Sequence, residues 1–511
     1  MVILLDQCRR PAHWPEDFVA RHLPGLARLQ ARGLTFEQAF CAAGQCSPSR
    51  ACLLTGSWAD VHGVQTVVNA RPGLALPPAD RVPNVASMLR AAGYEVVYKG
   101  KWHLSHPVDP AGWSQADIAH LEETYGFSGW NPPDAGIHSG AGSDCQDASP
   151  ARLATLGGGL PDNDGRCLRG PGGPEQTPGW GQGALDYLAR VAALPAGQRP
   201  PFCLFVSLTN PHDICYYPET CHCPQAGYPS PVPDLGVDLP ASAGDDLQGK
   251  PWVQAACREL SRVERWPSEV RRGFVNFYAY LHTVVDEHVQ ALLEALEAHG
   301  LAEDTLVFLT SDHGELALAH GLRDKAFCAY EEVIGVPLVV SNPRLFPRAC
   351  STRALWSHVD LAATLAELAG AAPIGVGVSQ APVLRNPSAS VRDWVLYAFD
   401  DEFGGLPCTA PAAHLRALRE ERYTYAVYFT ARYQGEPGLS PFTVEPPYDF
   451  ELYDNLEDPL QMINLVQRPE HSALWGQLHR RLTAAMQSVA ALPPGWPLAL
   501  PQGLQGEAGG A

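Results

Sequence analysis

Four short runs of large apolar residues constrain this chain more than any other feature. Each stops on residues able to do chemistry. Met1–Leu5 ends on Asp6-Gln7, and Tyr94–Tyr98 leads into Lys99-Gly100-Lys101-Trp102-His103. Phe202–Leu208 runs into Thr209-Asn210-Pro211-His212-Asp213, and Thr305–Thr310 into Ser311-Asp312-His313-Gly314. A strand with one wet face alternates in polarity, whereas runs like these suit strands buried on both faces. Such strands belong to α/β sheets, in which ligands bind beyond the carboxyl ends. The runs therefore predict an α/β fold. They also predict that the four polar sequels reach one rim.

Helical periodicity fills the intervals. Phe277, Leu281, Val284, Val285, Val289, Leu292, Leu293 and Leu296 recur at steps of three and four, one apolar stripe on a long amphipathic helix. His299-Gly300 closes it, ahead of the strand at Thr305. A second helix is predicted over Val85–Ala92, stopping at Gly93. Residues 135–182, dense in Gly, Pro and Asp, and residues 215–251, rich in Pro and Cys, read as loop insertions. The composition shifts again at 371–395.

At 511 residues the chain exceeds what one core usually spans, so a large domain and a smaller one are expected. We place the large one at 1–385, the smaller at 386–490 and a tail at 491–511. The net charge of -19 argues against a nucleic-acid partner, which needs clustered Lys and Arg. MVILLDQCRRPAHWP lacks the ordered parts of a secretory signal, and no apolar run approaches the roughly 20 residues of a membrane helix. No membrane partner and a cytoplasmic location are the resulting expectations; oligomeric state is open. Among the 14 cysteines, Cys215, Cys221 and Cys223 cluster, with Cys203 nearby, and either a structural zinc or a local disulfide is open to them.

One cysteine stands out. Cys46 lies four residues before Arg50, and a thiol beside a guanidinium on a turn is either a low-pKa nucleophile or an inert core residue. Its surroundings, Cys46-Ser47-Pro48-Ser49-Arg50-Ala51-Cys52-Leu53-Leu54-Thr55-Gly56, resemble the sulfatase signature C-x-P-S-R-x-x-L-L-T-G at eight positions. Further segments resemble the same family: Gly100-Lys101-Trp102-His103-Leu104; Thr310–Glu315 with His320, Gly321 and Lys325; Tyr330-Glu331-Glu332 and Val336-Pro337-Leu338; and Glu451–Pro459 with Asn464-Leu465. The resemblance spans residues 1 to about 485 and implies an alkaline phosphatase-like fold, a large mixed, mostly parallel sheet sandwiched by helices, with a small C-terminal antiparallel sheet packed by a helix over Ala473–Val489.

The resemblance also implies chemistry. Cys46 becomes a formylglycine precursor, matured by a formylglycine-generating enzyme. A hydrated aldehyde carries two hydroxyls on one carbon, one to attack sulfur and one to expel sulfate by collapse. Asp6, Gln7, Asp312, His313 and the modified Cys46 are the implied ligands of one divalent metal. Arg50 and Lys101 would hold the hydrate, His103 would serve as base, and His212 and Lys325 would bind the sulfate of a small-molecule ester. Asp213 would orient the ring of His212 or cap a turn, and Glu315 reads as a solvated loop residue.

The pairs Asp6-Gln7 and Asp312-His313 depart from the commoner sulfatase pattern of two adjacent Asp and an Asp-Asn. An oxygen-only site suits Ca²⁺, as the family implies; an imidazole shifts preference towards Mn²⁺, Zn²⁺ or Fe²⁺. This variant resembles the branch with choline sulfatases, some arylsulfatases and phosphonate monoester hydrolases. Hydrolysis of phosphonate monoesters or phosphodiesters is therefore the alternative activity, and a non-catalytic binding protein the alternative from another class.

Overall fold

The four apolar runs become four neighbouring strands. The computed structural model describes residues 1–11, 14–68, 72–131, 134, 164, 167–168, 182–217, 229, 231–325, 327–400 and 413–500. In chain order the strands are β1 (Val2–Asp6), β2 (Gly33–Phe40), β3 (Ala43–Gly44), β4 (Glu95–Gly100), β5 (Phe202–Pro211), β6 (Val307–Ser311), β7 (Leu338–Ser341), β8 (Cys350–Ser357), β9 (Trp394–Phe399), β10 (His414–Glu420), β11 (Tyr423–Tyr433) and β12 (Phe442–Asp454). The large sheet has the order β4-β5-β1-β6-β7-β2-β8. Its β4, β5, β1 and β6 run parallel, β7 is antiparallel to both neighbours, and β2 pairs parallel with β8. The sheet is thus mixed and mostly parallel, as the resemblance implies.

Both faces are covered. Ile3 and Leu5 of β1, Leu204, Val206 and Leu208 of β5 and Leu309 of β6 share one core with Val285, Val289, Leu292 and Leu296. Val2, Leu4, Val96, Tyr98, Phe205 and Phe308 point the other way, into a second core. Successive strand side chains alternate faces, so only an uninterrupted apolar run can fill both. Each buried Val, Leu or Phe contributes about 1.5–3 kcal/mol.

Helices of the described residues include α1 (Cys46–Thr55), α2 (Val85–Ala91), α3 (Ser268–Ala298), α4 (Asp360–Ala369) and α5 (Ser472–Ser488). In α3 the predicted stripe is buried at all positions but Val284, and the helix ends at His299 with Gly300 at φ +64°. No helix of the described residues is long and apolar enough to cross a membrane.

The smaller sheet has the order β12-β11-β10-β9-β3. β9 to β12 form antiparallel pairs, and α5 packs on them through Trp475, Leu478, Leu482 and Met486. Its edge strand β3 comes from the N-terminal region, pairs parallel with β9 and leads directly into α1. Most of the 135–182 stretch, part of 215–251, with Cys221 and Cys223, and residues 501–511 of the predicted tail lie outside the described residues.

Candidate functional site

The matched cysteine motif folds as α1, and its letters separate by role. Cys46 is the first helical residue, after the cap Gln45, so its side chain sits at the positive end of a ten-residue helix. Pro48 lies in the first turn, where a missing N–H costs nothing. Leu53 and Leu54 enter the core, and Gly56 ends the helix at φ +66° with its N–H on Cys52 O at 2.9 Å. Ser47 and Ser49 act as ties. Ser47 Oγ donates to His103 O at 2.7 Å; Ser49 Oγ donates to Asp312 O and lies 3.1 Å from His358 Nδ1.

Arg50 gathers the strand ends. Its Nη2 donates to Asp6 Oδ2 and its Nε to Asp312 Oδ2, both at 2.9 Å. Nη1 reaches Ser207 Oγ at 2.8 Å and Lys101 O at 2.9 Å. Lys101 Nζ pairs with the same Asp6 Oδ2 at 2.5 Å. All these side chains are buried. Burial by itself would raise the Asp6 carboxyl, but Lys101, His212, Arg50 and His313 around it hold it well below the usual carboxylate range. Burial likewise opposes the charge of Lys101, and Asp6 and Cys46 outweigh it and raise the ammonium.

Asp6, Cys46, Asp312 and His313 offer ligand atoms that all lie within 4.8 Å of one another. Cys46 Sγ is 3.2 Å from His313 Nε2 and 3.8 Å from Asp6 Oδ1. His313 Nδ1 is 2.9 Å from Gly314 O. A carbonyl only accepts, so Nδ1 carries the hydrogen and Nε2 turns to the cluster. Burial would depress this imidazole, yet Asp312 and Cys46 raise it to about 9. The field that favours a proton there favours a cation.

Gln7 and Lys325 adjoin this cluster. Gln7, at φ +64°, donates its backbone N–H to Asp312 Oδ1 at 3.0 Å. Its Oε1 accepts from Lys325 Nζ, and its Nε2 donates to Glu315 Oε2 at 2.5 Å. Glu315 corrects the sequence expectation. It is buried rather than solvated, and its Oε1 accepts from Ala317 N at 3.0 Å and Asp324 N at 2.6 Å. The carboxylate thus folds the chain that returns Lys325 to the site. Lys325 is raised well above the ordinary lysine value, the neighbouring Cys215, Cys46, Asp324 and Asp6 outweighing its burial.

The predicted residues therefore converge. Asp6, Cys46, Arg50, Lys101, Asp312 and His313 form one buried cluster, Gln7 and Lys325 flank it, and His212 acts on Asp6. His103, at φ +56°, joins through its backbone carbonyl on Ser47. Of the cysteine group, Cys203 lies near the start of β5, whereas Cys215 lies past its end, 3.3 Å from Gln7 Nε2. Sequence reasoning gave no role to Ser47 and Ser49, although both stand inside the matched motif. His358, just past β8 and 309 residues from Ser49, carried no signal.

Comparison with known proteins agrees with this geometry. The sulfatase family model matches residues 1–371, and that described as N-sulphoglucosamine sulphohydrolase, C-terminal, matches 319–488. The uncharacterized sulfatase YidJ of Escherichia coli (strain K12) is 26% identical over 473 residues, covering 90% of this chain and 81% of its own. A solved 2-O GAG sulfatase superimposes with a TM-score of 0.67 at 21% identity, covering 96% of this chain and 92% of that one. The phosphonate monoester hydrolase SpPMH from Silicibacter pomeroyi superimposes with a TM-score of 0.63 at 21% identity, covering 96% and 95%. At such identities the solved structures establish the fold, while the family model covers both strands bearing the acidic ligand candidates and the Cys46 helix. The chain belongs to the sulfatase family, sulfuric ester hydrolases of the alkaline phosphatase superfamily.

Proposed function

We propose that this enzyme cleaves a small-molecule sulfate ester with one divalent metal and a formylglycine hydrate made from Cys46 by a maturation enzyme. The observation that carries the reading is Cys46 at the N-terminus of α1, in one buried group with Asp6, Asp312 and His313. Two carboxylates and an imidazole nitrogen converge there, a donor set that fits a divalent cation. Calcium follows from the family; the His313 nitrogen favours manganese or another transition metal. When bound, the metal supplies Lewis-acid polarisation of the ester and acidifies a hydroxyl that touches it.

The remaining work falls to the chain's own side chains. Residue 46 supplies the nucleophilic hydroxyl once converted. Arg50 and Lys101 hold positive charge beside it, and the helix end adds partial positive charge. Lys325 and His212 supply cationic contacts to the ester anion, and His103 takes the proton from the second hydroxyl, whose collapse to the aldehyde expels sulfate. Substrate specificity is assigned to the segments at 105–182 and 213–260 and to the subdomain at 386–490.

A second reading, hydrolysis of phosphonate monoesters or phosphodiesters, is favoured by Gln7 and His313 at positions where two further carboxylate or amide ligands are commoner. It is also favoured by the fold shared with SpPMH. Steady-state rates on paired 4-nitrophenyl sulfate and phenylphosphonate substrates separate the two. A larger kcat/KM for the sulfate supports the first reading; a clear phosphonate preference overturns it.

A further inference from the structure

Two buried carboxylates outside the cluster hold the backbone at His103 and just before His212. Asp134 stands just before the Gly/Pro/Asp-rich stretch at 135–182 and Asp164 stands within it. Asp134 accepts from Trp102 N and His103 N, both at 2.7 Å, one amide on each oxygen. Asp164 repeats the pattern with Thr209 N at 2.6 Å and Asn210 N at 3.2 Å. The two side chains are 4% and 1% exposed.

The need for such groups follows from the sheet. β4 and β5 are neighbours, and Lys101 N on Ser207 O at 3.0 Å extends their pairing just past the end of β4. Beyond it the amides of both segments leave the ladder while still buried. A buried N–H without an acceptor costs about 1–3 kcal/mol. A carboxylate offers two oxygens to two successive N–H groups, and its charge strengthens both bonds.

Each clamp also fixes something specific. His103 is in the left-handed region, which a non-glycine residue adopts only under constraint. Asp134 holds its N–H, and Ser47, next to Cys46, holds its carbonyl. Asp164 holds Asn210, two residues before His212, where Pro211 stands in register with Asp6. Burial pushes both carboxyls up to about 6 against these amide bonds, with Lys101 and Arg50 facing Asp134 and Asp6 facing Asp164. The fold keeps them in place at that cost.

We infer that Asp134 and Asp164 are positioning residues, each fixing one site histidine by clamping two successive backbone amides. The inference rests on the roles proposed above for His103 and His212. Asn at either position keeps the volume but supplies one acceptor and turns an NH₂ towards a backbone N–H. On 4-nitrophenyl sulfate, Asp134→Asn is expected to lower kcat by about tenfold to a hundredfold with KM within about threefold, because a displaced proton-transfer group slows the reaction step. Asp164→Asn is expected to raise KM by about tenfold, because His212 contacts the ester anion. Asp134→Glu keeps the charge and serves where the Asn variant folds poorly; the same kcat loss is expected. Ring resonances of selectively labelled histidines, assigned with His103→Gln and His212→Gln, give a readout without substrate, and each Asn variant should move the resonances of its own histidine. Both Asn variants within about twofold of wild type in kcat and KM, with unmoved ring resonances, overturn the inference. A wild type inactive on sulfate and phosphonate esters alike overturns the proposed function instead, and the resonances still decide the positioning.

Discussion

Arg50 faces two buried carboxylates at once, with Asp6 and Asp312 each 2.9 Å away and no solvent to replace it. Removing one partner of a buried pair leaves uncompensated charge and costs about 3–5 kcal/mol. Arg50→Ala is therefore expected to lower the stability of the metal-free enzyme by about that amount, read from urea midpoints at constant slope. A loss within about 0.5 kcal/mol, the size of an ordinary surface substitution, would contradict the geometry. At this scale the sequence was informative where a motif carried it. Asp6 and Asp312 end apolar runs but became ligand candidates only through the family resemblance, and Lys101 and His103 were found because they share a signature. Glu315 was misread as solvated. Its partners Gln7 and Asp324 lie 308 and 9 residues away, and a loop composition cannot report a carboxylate buried by such contacts. Asp134 and Asp164 escaped for the same reason, since their acceptor role exists only once β4 and β5 lie side by side.

Elements were legible where periodicity was long. The α3 stripe and the four runs gave strands and a helix within a few residues of those observed, because burial on one or two faces imposes its period on the sequence. The two-residue strand β3 left no such trace; it exists by pairing with β9, more than 350 residues later. The turn after β4 shows how a motif letter encodes geometry. Gly100 has φ +87°, and a Cβ there would collide with the backbone carbonyl of Ser207 on β5. Gly100→Ala combines left-handed strain with a backbone clash and is expected to cost about 2–4 kcal/mol. It should also lower kcat, because Lys101 and His103 follow at once. Thermal melts and steady-state rates check both, and unchanged melting would refute the close approach. Gly314 shares the close approach without the left-handed backbone: a Cβ there would meet the Glu332 carbonyl.

For the whole molecule, two groups of buried titrating side chains pull stability in opposite directions. Burial depresses His62, His282 and His358 to about 3, about 4 and about 3. The unfolded chain protonates them near 6.5, so their contribution is complete above that value and is lost as pH falls through it. Burial raises Asp134, Asp164 and Asp286 to about 6. Their contribution is complete below the unfolded value of about 3.9 and is lost as pH rises through 6. Between about pH 4 and 6 the two trends oppose each other. Below that window Asp245, held at about 2 by His320 and Lys250 despite its burial, and Asp400, held low by Arg416 despite its own, add only losses. Urea midpoints of metal-free enzyme should be nearly flat from about pH 4.5 to 6 and fall steeply below about pH 4; a steady climb across the upper window would contradict the balance. Metal belongs to the same scale. Saturation at about 100 times Kd adds about 2.7 kcal/mol, so chelation should lower the melting temperature and abolish turnover, with both restored by manganese or calcium. Melting indifferent to a chelator would argue against the Asp6, Asp312, His313 ligand set.

The central claim is that the nucleophile is made from Cys46. Its most direct measurement is turnover of a sulfate ester by several preparations of the enzyme, set against the fraction of residue 46 converted to formylglycine, read by mass spectrometry of its peptide. Turnover should rise in proportion to conversion and pass through zero where only the thiol is present. Full activity in enzyme whose Cys46 is entirely unmodified would contradict it.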